Sequence, residues 1–295
     1  MSTMAWGLFV ALSLIWGASF ACIEIGLETY DPLTLAWLRV SVAALCLMPF
    51  WYYFTKLPSP LMIMGMMLLG LGNNVIPFGL IAYGQTGLTS SFASLLNATV
   101  PLFGIIYAHF LTKDEPFHKK KLIGILIGFL GLLLALWENI TIKSTSIIYA
   151  LAVLLAANSY AVSTVLAKRL PTGFLNIAFF QVLGASFILT PFCISGLWEY
   201  GLSVGSRGFW AIVVLGSVGT ALAYVLFFMI LTLSGAVNLM LVTLMVPAVA
   251  LVIGITLLGE DVSLYQLSGL FTIILGLLII DGKILPRKLL PMRKC

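Results

Sequence analysis

The chain has 295 residues and a mass of 32.0 kDa; 61% of them are hydrophobic and only 8% charged, with a mean hydropathy of +1.14 and a formal net charge of +5. Soluble domains run about 45–50% apolar and about 25% charged, so this chain has too few charges to cover a water-facing surface. The cysteines Cys22, Cys46, Cys193 and Cys295, three of them inside apolar runs, exclude a disulfide scaffold, and the apolar content excludes disorder. A polytopic membrane protein remains, and at about 20 residues per crossing the length accommodates ten spans with short connections.

Taken in order, the apolar runs predict helices over 5–24, 33–54, 61–83, 90–111, 121–137, 146–166, 173–197, 208–231, 236–258 and 264–282. Turn signals separate them: Asp31-Pro32, Leu57-Pro58-Ser59-Pro60, Gly84-Gln85-Thr86-Gly87, Lys113-Asp114-Glu115-Pro116 and Pro171-Thr172-Gly173. The division between the eighth and ninth runs rests mainly on Ser234-Gly235. No Lys or Arg precedes the first run, which therefore lacks the basic stretch of a cleaved signal peptide and reads as a retained span.

Basic residues orient the spans. With the N-terminus inside, the cytoplasmic side collects Lys56, Lys113, Lys119, Lys120, Lys121, Lys168 and Arg169, and the tail adds Lys283, Arg287, Lys288, Arg293 and Lys294. Only Lys143 and Arg207 fall outside, and Arg39 lies within a span. Nine helices would carry the five basic tail residues outside, so ten with both termini cytoplasmic is the expected topology. The positive charge then reports the anionic lipids of the cytoplasmic leaflet and not a nucleic-acid partner.

The two halves echo each other. Asn97-Ala98-Thr99-Val100-Pro101 leads to Lys113-Asp114-Glu115, Gly124 and Gly131; Thr243-Leu244-Met245-Val246-Pro247 leads to Gly259-Glu260-Asp261, Gly269 and Gly276. Pro101 and Pro247 are offset by 146, the Glu and Gly pairs by 145, and Pro49-Phe50 and Pro191-Phe192 by 142. Each half, residues 1–140 and 141–295, holds five helices, an odd number, so the second enters the membrane from the opposite face. The expected fold is an all-α membrane protein built as two inverted five-helix repeats, the architecture that opens a midplane site alternately to either side.

The five-plus-five arrangement, Leu14-Ile15-Trp16-Gly17-Ala18-Ser19-Phe20 in the first span, the Pro-containing fourth and ninth spans and the acidic turns after them resemble the drug/metabolite transporter superfamily, specifically the EamA-type transporters, over nearly the whole chain. The resemblance implies a central cavity between the halves, a place for Trp16 at it, and export of amino acids or related small metabolites across the bacterial cytoplasmic membrane.

Polar groups in hydrocarbon are costly and normally face a bundle interior or a wet cavity. Arg39 is the only basic residue well inside a span, about two helical turns below the outer surface, and Glu24 ends the first span near the same face. The pair reads either as a site for a substrate carboxylate or a gate, or as a fixed link between two helices, with an Arg39 that snorkels outward as a further alternative. Trp16, Asn73, Asn74, Asn97, Asn158, Tyr160, Thr220 and Tyr224 fall near mid-bilayer as candidate lining residues, each equally able to serve helix–helix hydrogen bonding. Gln181 and Asn238 lie nearer the cytoplasmic side and rank lower. The spacing Gly124-x3-Gly128-x2-Gly131 reads as close helix packing.

No His-Glu-x-x-His, Walker-type loop or Gly-x-Ser-x-Gly is present, and neither His109 nor His118 sits in a metal-ligand cluster. No cofactor or metal is expected, and the partners are a small-molecule substrate and the lipid bilayer; the sequence does not set the oligomeric state, and a monomer is compatible with it. With carboxylates within the membrane limited to Glu24 and, at the end of the last span, Asp281, the expectation is facilitated movement down a gradient. The alternatives are a lipid-processing membrane enzyme, for which no nucleophile or acid–base pair is evident, and a non-transporting membrane partner.

Overall fold

The computed structural model describes residues 3–111, 119–141, 146–167, 170–227, 229–230 and 242–281. Helix α1 (Thr3–Leu27) is followed by α2 (Pro32–Phe54). Helix α3 (Pro60–Gly70) runs through a π-helical turn, Leu71–Val75, into α4 (Ile76–Gln85). Helices α5 (Ser90–Asn97) and α6 (Val100–Leu111) are divided by a two-residue break. Then come α7 (Lys119–Thr141), α8 (Ser146–Ala167), α9 (Phe174–Tyr200) and α10 (Arg207–Gly216), the last continuing into a second π turn, Ser217–Leu222. Helix α11 (Val242–Ile253) ends in a third π turn, Gly254–Leu258, before α12 (Leu264–Asp281).

Seven helical rods are long and apolar enough to cross a bilayer: 7–27, 32–54, 60–85, 90–111, 147–167, 174–193 and 207–227. Leu122–Trp137, Met245–Leu258 and Leu264–Gly276 are shorter apolar helices. The Ser234-Gly235 boundary, Asn238, the Asp114-Glu115 turn, His118, Lys143 and the basic tail lie outside the described residues.

Local chemistry explains the boundaries. Asp31 accepts from the amides of Leu33 and Thr34 and starts α2, with Pro32 at its first position; Ser206 caps α10 through the amide of Phe209. Pro101 has no amide to give the Asn97 carbonyl, and the α5–α6 rod breaks there; within the break Thr99 Oγ1 donates to Leu96 O at 2.7 Å. Gly259, at φ +68°, ends the α11 rod in the left-handed conformation and turns the chain so that the Glu260 amide reaches Gly254 O at 3.0 Å.

The outer shell is apolar. Leu126, Leu155, Phe187, Phe192, Leu257 and Leu264 are exposed in a manner only hydrocarbon would tolerate, and Trp51, Tyr52, Tyr53 and Phe54 end α2 with the aromatic residues of a membrane–water interface. This is a multi-pass membrane protein.

Inside, α2 packs on α9, and α7 on α12, antiparallel. The second contact is backbone to backbone: a Cβ on Gly131 would lie 2.8 Å from Gly269 O, and one on Gly276 would lie 2.6 Å from Gly124 O. The glycines admit a backbone-to-backbone crossing that any side chain would push apart, in agreement with the packing expected of the Gly124–Gly131 spacing. A second pair of glycines brings rods against α2 and α9: Gly216 abuts the Arg39 carbonyl, and Gly70 abuts the Gln181 carbonyl.

Candidate functional site

Both π turns of the central rods fall where polar side chains meet. Each extra residue rotates the side chains that follow and frees backbone groups. The first turn contains Asn73 and Asn74, the second Thr220. Arg39, on α2 and 6% exposed, donates from Nε to Thr220 Oγ1 at 2.9 Å, and the Thr220 hydroxyl donates in turn to Leu215 O at 3.0 Å. The guanidinium lies 3.6 Å from the centroid of the Phe78 ring, a cation–π contact. Phe78 stands edge-on to Tyr160, 6.3 Å between centroids. Tyr224 donates to Asn74 Oδ1 at 2.7 Å, while Asn74 Nδ2, fully buried, has no acceptor among the described residues. Asn73 Nδ2 donates to Gln181 Oε1 at 2.8 Å, and Ser159 Oγ to Gly72 O at 2.6 Å.

Six of the sequence candidates are therefore gathered into one cluster: Arg39, Asn73, Asn74, Tyr160, Thr220 and Tyr224. Asn158, two residues before Tyr160 on α8, accepts instead from Tyr107 of α6 at 2.8 Å. Trp16 packs 5.8 Å from Phe227, one turn beyond Tyr224. Asn97 closes α5 with its Oδ1 buried and unpaired. Gln181, ranked low by its depth in the sequence, is 2% exposed and belongs to the cluster through Asn73. Phe78 escaped notice because nothing in an apolar run marks one aromatic ring as the platform for a cation. Its spacing of four from Asn74 is the signal that was available.

Glu24 does not pair with Arg39. Its Oε2 accepts from the Ser90 amide at 3.1 Å, and it meets Glu260 there: Glu260 accepts from the same amide at 2.7 Å, from Ser90 Oγ at 2.6 Å and from the Ser91 amide at 3.0 Å. The two carboxylates seat on the start of α5, where the helix presents free amides. Arg39 forms no ion pair among the described residues. A separate apolar groove of ≈ 260 Å³ between α1 and α10, lined by Leu14, Ile15, Ala18 and Val218 among others, lies on the lipid-facing flank. Among the described residues no group of His, Cys, Asp and Glu could hold a metal ion.

A family model, the EamA-like transporter family, matches the chain twice, over residues 3–137 and 147–281. The chain belongs to the EamA-like transporter family. Curated relatives agree: YoaV of Bacillus subtilis, an uncharacterized transporter, is 26% identical over 91% of this chain and 93% of its own, and YedA of Escherichia coli K12, an uncharacterized inner membrane transporter, is 27% identical over 95% and 91%. A protein of Salmonella typhimurium named as a probable amino-acid metabolite efflux pump is 26% identical over 92% of this chain and 93% of its own. A solved crystal structure superposes with a TM-score of 0.67 at 16% identity, covering 95% of this chain and 96% of that one, and shows the shared fold. The family and these relatives are transporters and not enzymes, and the EamA chain described here is read accordingly.

Proposed function

We propose that this EamA-family protein carries small metabolites across the bacterial cytoplasmic membrane by alternating access, as an exporter of amino acids or related compounds, and that the Arg39–Asn74–Tyr224 cluster lines its central site. The observation that carries the reading is the meeting of costly polar groups from α2, the π turn between α3 and α4, α8, α9 and the α10 rod at one buried place. Fixed packing alone would be served more cheaply by apolar side chains.

The ten-span, inverted-repeat architecture belongs to the same proposal, with units 1–140 and 141–295. Four correspondences support it. The family model's two matches begin 144 residues apart. The two central π turns, beginning at Leu71 and Ser217, are offset by 146, as are Asn74 and Thr220. Gly131 meets Gly269 while Gly124 meets Gly276, and Gly70 meets the Gln181 carbonyl while Gly216 meets that of Arg39. In each set the contact i-to-j recurs as j-to-i between equivalent residues, which is the pattern of a two-fold axis. Because α7 and α12 run antiparallel, that axis crosses the helices and lies in the membrane plane, as alternating access requires.

Both termini are assigned to the cytoplasm from the Lys and Arg distribution, and the inner-membrane location from YedA. The amino-acid assignment takes its support from the Salmonella relative's name. Glu24, Glu260 and Ser90 join α1, the turn before α12 and α5 at the outer end; they are the contacts that part when this end opens, which gives Glu24 its gating role. Reconstituted efflux against labelled amino acids, N-acylated amino acids, nucleosides and sugars tests the function. Saturable flux of an amino acid or a compound derived from one is the expected result, and no flux of any compound overturns it.

A further inference from the structure

If the halves are equivalent, their central hydrogen bonds are too. Arg39 binds Thr220 across the interface, and Gln181 binds Asn73, the neighbour of Asn74, which is the equivalent of Thr220. Arg39 and Gln181 are offset by 142, the offset of Pro49 and Pro191 on the same helices, and each has a glycine of the opposite half against its carbonyl. The same job of joining two rods is thus done once by a neutral amide and once by a cation. Joining the rods needs no charge, so the charge of Arg39 is surplus to the packing.

That surplus charge is unanswered. Arg39 is 6% exposed, and among the described residues its polar bond is the one from Nε to Thr220, with no partner there for its terminal nitrogens, which are not sealed off. The carboxylate that the sequence offered as partner, Glu24, is engaged with Ser90 and Glu260. On the rod whose Phe78 ring carries the guanidinium, four residues before that ring, the buried Asn74 Nδ2 is a second donor with no acceptor among the described residues, and Tyr224 fixes the other end of its amide. A guanidinium and an amide N–H₂, both lacking acceptors at a buried site, match the two oxygens of a carboxylate. The flanking Phe78, Tyr160 and Tyr224 supply aromatic surface and no negative charge.

We infer that the central site selects organic monoanions: the substrate presents one carboxylate to Arg39 and Asn74 Nδ2 and carries no cationic group. This rests on the transporter reading above and narrows it. A zwitterion brings an ammonium that has no carboxylate to meet among the described residues of the cluster, and a dianion such as a phosphate monoester brings one charge more than Arg39 neutralises.

The test uses four compounds of one size class in proteoliposomes containing the full chain: N-acetylphenylalanine, phenylacetate, phenylalanine and phenethylamine, each followed as saturable flux. The expected result is that the two monoanions exceed phenylalanine by about tenfold or more, an unpaired buried charge being the penalty, with phenethylamine not carried. Arg39→Gln, which copies Gln181 and is expected to fold, reduces monoanion flux by about tenfold or more, and Arg39→Lys keeps the order of preference at a lower rate because it keeps the charge without the fork. Phenylalanine or phenethylamine carried as well as the monoanions overturns the inference while transport stands, as does an Arg39→Gln protein that retains wild-type selectivity. No flux of any of the four compounds overturns the inference, and failure of the wider efflux panel as well overturns the transporter reading with it.

Discussion

At the scale of single residues, the centre of the protein is organised by one amide. Asn74 is fully buried, with Oδ1 satisfied by the Tyr224 hydroxyl and Nδ2 open. Tyr224→Phe deletes the donor and little volume, leaving both ends of the amide unpaired; we expect a loss of about 1–3 kcal/mol in stability and slower flux, read by thermal unfolding in detergent and by reconstituted transport. An unchanged melting temperature would show that the amide finds another partner and is not held by Tyr224. The sequence marked both residues as polar groups in hydrocarbon, because their cost can be read from composition and depth alone. It did not pair them, since depth says nothing of which way a side chain faces around its helix. The same limit produced the Glu24–Arg39 link: the two share a level near the outer face, but Arg39 turns toward Thr220 and Phe78, and Glu24 toward Ser90.

At the scale of elements, close approaches and helix ends decide the geometry. Gly131 sits against the Gly269 carbonyl, so Gly131→Val forces α7 and α12 apart and should cost about 1–3 kcal/mol as overpacking, measured as a drop in melting temperature. Gly65→Ala, at a position where a Cβ meets nothing within 4 Å, should leave it unchanged. The start of α5 gives a ranked test. Glu260 accepts three bonds from Ser90 and Ser91 at 2.6–3.0 Å, and Glu24 accepts at 3.1 Å from an amide that Glu260 already engages. Glu260→Ala should therefore lose about 1–2 kcal/mol as a missing cap, whereas Glu24→Gln, which relieves repulsion between like charges, should be neutral or stabilising. The reverse order of melting temperatures would mean that Glu24 is the principal cap. The helices themselves were legible: runs predicted over 33–54 and 146–166 are Pro32–Phe54 and Ser146–Ala167, because hydropathy acts locally, as does the Asp31-Pro32 start of α2. The π turns were not, since one inserted residue leaves hydropathy untouched, yet those turns aim Asn74 and Thr220 inward.

At the scale of the whole molecule, the few charges divide into those that orient the chain and those that act within it. The acidic turn at Glu260 was visible as half of a repeat, but its partner on α5 lies 170 residues away in sequence and only folding brings them together. The expectation of movement down a gradient rested on a scarcity of membrane carboxylates, and the apposition of Glu24 with Glu260 sets a second acidic group beside the first. The central claim is that one polar cluster faces each side of the membrane in turn, and its most direct measurement is two-sided thiol labelling. In a cysteine-free background, the thiol of Asn73→Cys should react with a membrane-impermeant reagent applied from outside and, separately, from inside, with a transported substrate slowing both reactions. Reaction from one side only, or from neither, would contradict the account.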